Sequence, residues 1–395
     1  MVKYREFICV GYPRQENTVR RFFSSIVKYL RETDMLLLAL CVISSVYGLV
    51  LIKSTTMGSG GNEMVVQSAA LIIGVVFYVV FSLIDIDIMA DKPKTLIVVS
   101  LLFIATLIPW GVNTNGNRAW LRFAGIGVQP AEVVKIPFTI IIASYISSFK
   151  SRRTLDSPLS IIKLVVIFGM FFALIIVISS DLGSALVYFF ILAVVMFVSG
   201  IKLRWFLVGA AAIGAIAPIA WYRFLSAEQI KRILAPYDPT IDPTGIGVTW
   251  QTTLSRLAIS SGGFTGQGLF KGSMTQTGRV SQQSTDFIFS VAGEELGFVG
   301  CFLIVLLLIL IIIRCINVGV KSNSSTGLLV CTGIAAMLIF QTFENIGMCL
   351  GLTPVIGLTL PFFSYGGTSI VTNFVAMGII AGIKMRPKPL SFRNN

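Results

Sequence analysis

Phe298-Val299-Gly300-Cys301-Phe302-Leu303-Ile304-Val305-Leu306-Leu307-Leu308-Ile309-Leu310-Ile311-Ile312-Ile313 carries no charge and no strand-like alternation. Counted from residue 287 to residue 313, the run is long enough to cross the hydrocarbon core of a bilayer, which takes roughly 17 to 25 apolar residues as a helix. Comparable runs recur near 35–52, 65–84, 95–112, 130–148, 160–179, 184–200, 205–224, 326–349 and 367–383. Backbone in lipid must satisfy its own hydrogen bonds, so about ten such runs predict an all-α polytopic membrane protein of about ten transmembrane helices. A transmembrane barrel would instead show many short alternating strands. Composition agrees: of 395 residues, 55% are hydrophobic and 12% charged, against roughly 25% charged in a soluble domain.

The sequence has no histidine. A Ser-His-Asp triad, an H-E-x-x-H zinc site and a His-ligated haem are therefore excluded. Cys9, Cys41, Cys301, Cys315, Cys331 and Cys349 form no C-x-x-C pair and suggest neither a disulfide framework nor a metal site. Ser261-Gly262-Gly263-Phe264-Thr265-Gly266-Gln267-Gly268 lacks the Lys-Ser/Thr pair of a phosphate loop and has no parallel-sheet pattern around it, so its glycines read as backbone geometry. No organic cofactor is indicated.

The net charge of +13 invites nucleic acid as a partner, but position answers otherwise. An even number of spans puts both termini on one side, and if that side is the cytoplasm most of the 31 Lys and Arg lie inside. Nucleic acid is not needed. Residues 1–33 then form a cytoplasmic tail in which Val19, Phe22, Phe23, Ile26, Val27 and Leu30 recur at helical spacing beside Arg20, Arg21, Lys28 and Arg31. That pattern predicts an amphipathic helix on the inner leaflet, with partner docking as the other reading. Residues 34–386 make the membrane domain and 387–395 a cytoplasmic tail. Within the domain, 225–286 is one long polar outer loop, with a short helix opened by Ser226 and turns at Asp238-Pro239 and Asp242-Pro243. Loops of that length tend to carry function.

Ionisable groups at or inside spans are costly and ask for a reason. In this topology Arg118, Arg122, Glu132, Lys135, Asp181, Asp286, Glu294, Glu295 and Glu344 all fall in the outer half, which suggests one polar cavity open outward. Two readings stand for several of them. Glu132 and Lys135, three apart on a helix, make either a mutual salt bridge or a substrate contact. Asp181 reads as a helix N-cap as readily as a site residue. Adjacent Glu294 and Glu295 cannot both face one cavity. Glu344 pays desolvation unless paired or protonated. Asp286, at the junction of the polar loop and the eighth span, is the candidate catalytic residue, because partial burial raises a carboxyl towards the range of a useful general base; capping the eighth helix is its other reading. Leu360-Pro361 and Ser364-Tyr365-Gly366-Gly367 predict a broken start to the tenth span.

Six motifs in order resemble the SEDS family (shape, elongation, division and sporulation), which includes RodA, FtsW and SpoVE. They are Asn115-Gly116-Asn117-Arg118-Ala119-Trp120 with Gln129-Pro130-Ala131-Glu132-Val133-Val134-Lys135; Asp181-Leu182-Gly183-Ser184-Ala185; Ser261-Gly262-Gly263 with Gly266 and Gly268; Thr285-Asp286-Phe287-Ile288-Phe289 with Glu294-Glu295-Leu296-Gly297; Asn345-Ile346-Gly347-Met348; and Leu360-Pro361-Phe362-Phe363-Ser364-Tyr365-Gly366-Gly367. Ala258 to Gly263 and Phe289-Ser290-Val291 look slightly more like RodA than FtsW.

The resemblance implies a ten-helix, inverting peptidoglycan glycosyltransferase of the bacterial cytoplasmic membrane, polymerising lipid II at the outer face. It implies Asp286 as the catalytic residue and a part for Trp120; beside these, Arg118, Arg122 and Lys135 are candidates for offsetting pyrophosphate charge, and Glu132, Asp181, Gln251 and Ser364 are further substrate-binding candidates. It also implies a divalent cation, Mg or Mn, with no ligands assigned. The implied partners are lipid II, the growing lipid-linked glycan, a class B penicillin-binding protein and other elongation or division proteins. Two departures stand out: Ala131 where the family has Ser, and Ser281-Gln282-Gln283-Ser284 where it has a Glu-containing stretch. A transporter of lipid-linked precursors and a scaffold of the cell-wall machinery are the other classes considered, set aside because the charged groups gather in one half of the membrane.

Overall fold

The computed structural model describes residues 29–57, 62–114, 117–123, 126–223 and 225–386. The amphipathic helix expected over 19–30 lies almost wholly outside the described residues, as does the tail after 386. Among the described residues, ten helices are long and apolar enough to cross a membrane. They are α1 (Met35–Thr56), α2 (Glu63–Leu83), α3 (Pro93–Trp110, with a break after Ala105), α4 (Pro130–Ser151), α5 (Pro158–Ser179, its last turn a π turn), α6 (Leu182–Ser199), α7 (Leu203–Arg223), α10 (Ile288–Lys321), α11 (Ser325–Cys349) and α12 (Gly367–Met385). Between α7 and α10 lie α8 (Ala227–Leu234) and α9 (Trp250–Gly262). The chain is a multi-pass, all-α membrane protein.

Local chemistry sets the ends. Pro93, Pro130 and Pro158 stand at the first helical position, where a missing N–H is harmless. Ser226 opens α8 with a reciprocal capping box to Gln229. Gly200, at φ 90°, closes α6 in the left-handed region. At the centre, α4, α11 and α12 bury most of their surface, and α7 lies at the periphery with none of its span buried. Helices α2 and α12 approach closely because Gly378 and Gly382 lack side chains: a Cβ there would sit 2.5 Å from the Tyr78 carbonyl oxygen and 2.7 Å from that of Ser82.

Two features depart from ten uninterrupted helices. The segment after α3 folds as a small antiparallel sheet, β1 (Gly111–Thr114), β2 (Asn117–Phe123) and β3 (Ile126–Val128), in that order. Its middle strand follows the two-residue period: Ala119 and Leu121 are buried, Arg118 and Arg122 exposed. Helix α10, 34 residues long, is broken at Gly297 (φ 64°, ψ −158°), a backbone region open essentially to glycine alone. A Cβ at Gly297 would lie 2.4 Å from the Gly266 nitrogen. Into that break the glycine loop 262–268 docks by backbone: Gln267 N–H donates to the Glu294 carbonyl (2.9 Å), and Phe298 N–H to that of Gly263 (3.0 Å). The glycines serve geometry, as their sequence suggests.

Candidate functional site

Asp286 sits one residue outside the first turn of α10, at the close of the turn Gln282–Asp286. That turn needs Gln282 in the left-handed region (φ 54°), and the Asp286 N–H donates to the Gln282 carbonyl (3.1 Å). From α11, the Asn345 side-chain amide donates to the Asp286 carbonyl and to the Leu358 carbonyl, both at 2.7 Å. One amide thus ties the start of α10 to the loop before α12. Gly357, at φ 72°, lies beside the carboxylate, where a Cβ would stand 3.5 Å from Oδ2. The residue keeps part of its surface exposed while its carboxyl is closely surrounded. Among the described residues it makes no ion pair. Burial pushes the carboxyl up to about 6, with the Thr285 hydroxyl opposing and the charge of Asp181 adding to the rise.

Asp181 is within electrostatic reach of Asp286 and is also an N-cap. It accepts from the Ser184 N–H (2.9 Å) and Ser184 hydroxyl (2.7 Å), and from the Gln129 amide (2.8 Å). Through Gln129 it meets the sheet: the Thr368 hydroxyl, at the start of α12, donates to the Gly127 carbonyl (2.8 Å), and Trp120 lies across Gly127. Arg118 and Arg122 are exposed on β2, Arg118 donating to the Ile108 carbonyl (3.3 Å).

The other carboxylates divide sharply. Glu132 and Lys135 form a buried ion pair at 2.6 Å. Glu294 is fully buried and accepts from the Met274 N–H (2.7 Å), the Thr275 N–H (2.9 Å) and the Thr275 hydroxyl (2.6 Å). Glu295, also fully buried, accepts from the Ser54 hydroxyl (2.6 Å) and the Gln276 amide (3.1 Å). Both glutamates are therefore fastenings of the loop. Among the described residues neither carboxylate oxygen of Glu344 has a hydrogen-bond partner, although the residue is 4% exposed. Ser364 Oγ accepts from the Leu360 N–H (2.8 Å), a local loop bond. Gln251 lines a separate pocket of about 660 Å³ with Lys231, Arg232, Trp250 and Val355. No hydrogen bond or ion pair joins Arg118, Arg122, Lys135 or Gln251 to Asp286 among the described residues. Gln129, Asn345 and Gly357 shape the site and were not singled out from the sequence, although the first two lie inside quoted motifs.

Among the described residues, no group of three or more Cys, Asp or Glu could hold a metal ion.

The model of the FtsW, RodA and SpoVE family, described as "Cell cycle protein", matches residues 30–388. The chain belongs to this family. It is 31% identical to the peptidoglycan glycosyltransferase MrdB of Escherichia coli K12 over 90% of this chain and 94% of that one. It is 32% identical to a probable peptidoglycan glycosyltransferase FtsW of Trichlorobacter lovleyi over 91% and 96%. Among solved structures, a chain from a peptidoglycan synthase complex that coordinates polymerization and crosslinking superposes with a TM-score of 0.76 at 28% identity, over 89% and 97%. The Rod shape determining protein RodA of Thermus thermophilus gives 0.65 at 26%, over 89% and 96%. In this SEDS chain the unusual stretch Ser281–Ser284 anchors backbone: the Gln283 amide donates to the Thr275 carbonyl (3.2 Å), and the Tyr365 N–H to the Ser284 carbonyl (2.8 Å). Those bonds seat the turn that presents Asp286.

Proposed function

We propose that the chain is a peptidoglycan glycosyltransferase that polymerises lipid II at the outer face of the bacterial cytoplasmic membrane, with Asp286 as general base. The acceptor hydroxyl gives its proton to Asp286 as its oxygen bonds the anomeric carbon of the donor, while the bond to undecaprenyl pyrophosphate breaks. Attack opposite the leaving group inverts the anomeric centre without a covalent enzyme intermediate. Exposed Arg118 and Arg122 offset charge on the pyrophosphate. Lys135 acts through its buried pair with Glu132 in the first turns of α4. Trp120 offers an apolar face beside a sugar or a prenyl chain. A class B penicillin-binding protein supplies crosslinking as a separate subunit.

The observation that carries this reading is Asp286 itself: a partly exposed residue whose closely surrounded carboxyl makes no ion pair among the described residues, its backbone clamped by Asn345. Glu294, which fastens the loop, has its carboxylate taken up by three hydrogen bonds from Met274 and Thr275 instead. The test is polymer formation from purified lipid II by the solubilised protein, alone and with a class B penicillin-binding protein, with and without divalent cation. Glycan chains from the wild type are expected; no polymer under any condition from folded protein would overturn the reading.

A further inference from the structure

At the far end of α10 from Asp286, a pocket of about 390 Å³ opens between the last turns of α10 and α12 and the start of α11. That size lies within the range of roughly 300 to 1,000 Å³ usual for small-ligand sites. Four basic side chains line it: Arg314, Lys321, Lys384 and Arg386. Behind them lies Asp34, fully buried, which takes Arg314 Nε at 2.7 Å and Lys384 Nζ at 3.5 Å. One carboxylate thus serves two cations. Arg386 is matched by Asp85 at 3.3 Å and by the Ile84 carbonyl. Lys321 is exposed and has no hydrogen-bond or ion-pair partner among the described residues, while Asp87 lines the opposite wall, beside the Ser324 hydroxyl at 3.5 Å. Summed over these groups, four cations and three carboxylates leave about one positive charge, which suits a singly charged phosphodiester better than a doubly charged phosphate ion.

The pocket's flank says where that phosphodiester comes from. Ile313, Ile316 and Val320 are 47%, 42% and 69% exposed on the final turns of α10, next in sequence to the lining residues Arg314, Asn317 and Lys321. An acyl chain can lie along that apolar strip while its headgroup sits among the cations. We infer that this pocket binds the headgroup of an anionic phospholipid from the leaflet opposite the Asp286 recess, with Lys321 as the unpaired cation that meets the phosphodiester. Basic pockets between helices at the cytoplasmic boundary hold lipid headgroups in this manner. Bound there, the lipid bridges α10 and α12, whose opposite ends meet the loops around Asp286.

The test counts lipids on the full-length protein by native mass spectrometry after titration with phosphatidylglycerol, phosphatidylcholine or inorganic phosphate. Lys321→Gln and Lys321→Glu are compared with wild type, because Lys321 holds no structural bond whose loss would unfold the chain. Wild type is expected to retain phosphatidylglycerol over phosphatidylcholine. Affinity should fall about fivefold in Lys321→Gln and further in Lys321→Glu, at about 1 kcal/mol for each basic charge. Equal retention of both lipids, equal retention by all three proteins, or displacement of bound phosphatidylglycerol by millimolar inorganic phosphate would each overturn the proposal. Because Lys321 is remote from Asp286, failure here leaves the polymerase reading untouched.

Discussion

Glu294 and Asp286 lie eight residues apart on either side of the first turns of α10, yet their surroundings are opposite. Glu294 is fully buried and takes the Met274 N–H, the Thr275 N–H and the Thr275 hydroxyl. Asp286 keeps an open side, and the bonds that fix it in place are made to its backbone. Saturation of a buried charge holds a structure and uses up its reactivity. An unsaturated carboxyl on a clamped backbone is costly to keep and is ready for a proton. The two carboxylates thus differ in what holds them: Glu294 by its side chain, Asp286 by its backbone.

The contrast can be broken at the fastenings. Lys135→Ala leaves Glu132 buried and unpaired, so stability should fall by about 3–5 kcal/mol, while the double change with Glu132→Ala should cost less; chemical denaturation of the four proteins of this cycle checks it. Glu294→Ala strips the acceptor from Met274 and Thr275 and should cost about 2–4 kcal/mol, read in the same way. Gly297→Ala puts a side chain into a glycine-only backbone and against Gly266, for a loss of about 1–3 kcal/mol in the strain alone; a melting temperature equal to wild type would show that the docked glycine loop does not depend on that break.

The smallest expected effect sharpens the other side. Because the Asp286 carboxyl is held at about 6, above its ordinary 3.8, the folded chain favours the protonated form. The stability from this group is complete below pH 3.8 and is lost as pH rises through about 6. Activity that needs the ionised base runs the other way, rising across the same window. Profiles of kcat/KM and of melting temperature between about pH 4.5 and 8 should therefore slope in opposite directions in wild type, and the stability slope from this group should vanish in Asp286→Asn.

Much of this was legible in the sequence. Span positions follow from length and apolarity, and Ser226 announces α8 because a capping box is a local motif. Asp286 could be named from its place at a polar–apolar junction. The break at Gly297 could not, since a glycine in an apolar run looks like any tolerated helix glycine until the loop 262–268 packs on it. Nor could the sheet after α3, whose strands are too short for a two-residue period to stand out. Asn345 reads as a core amide; its role depends on a carbonyl 59 residues away. Glu132 and Lys135 had a pairing written into their spacing, and geometry decided for the pair.

The most direct measurement takes polymer yield from lipid II and melting temperature on one preparation of Asp286→Asn beside wild type. Yield is expected to fall about a thousandfold, in the range for loss of a general base, with the melting temperature within about 2 °C, since no strong bond is lost. Retained polymerisation would contradict the general-base role, and so would a loss of activity that merely follows a loss of fold.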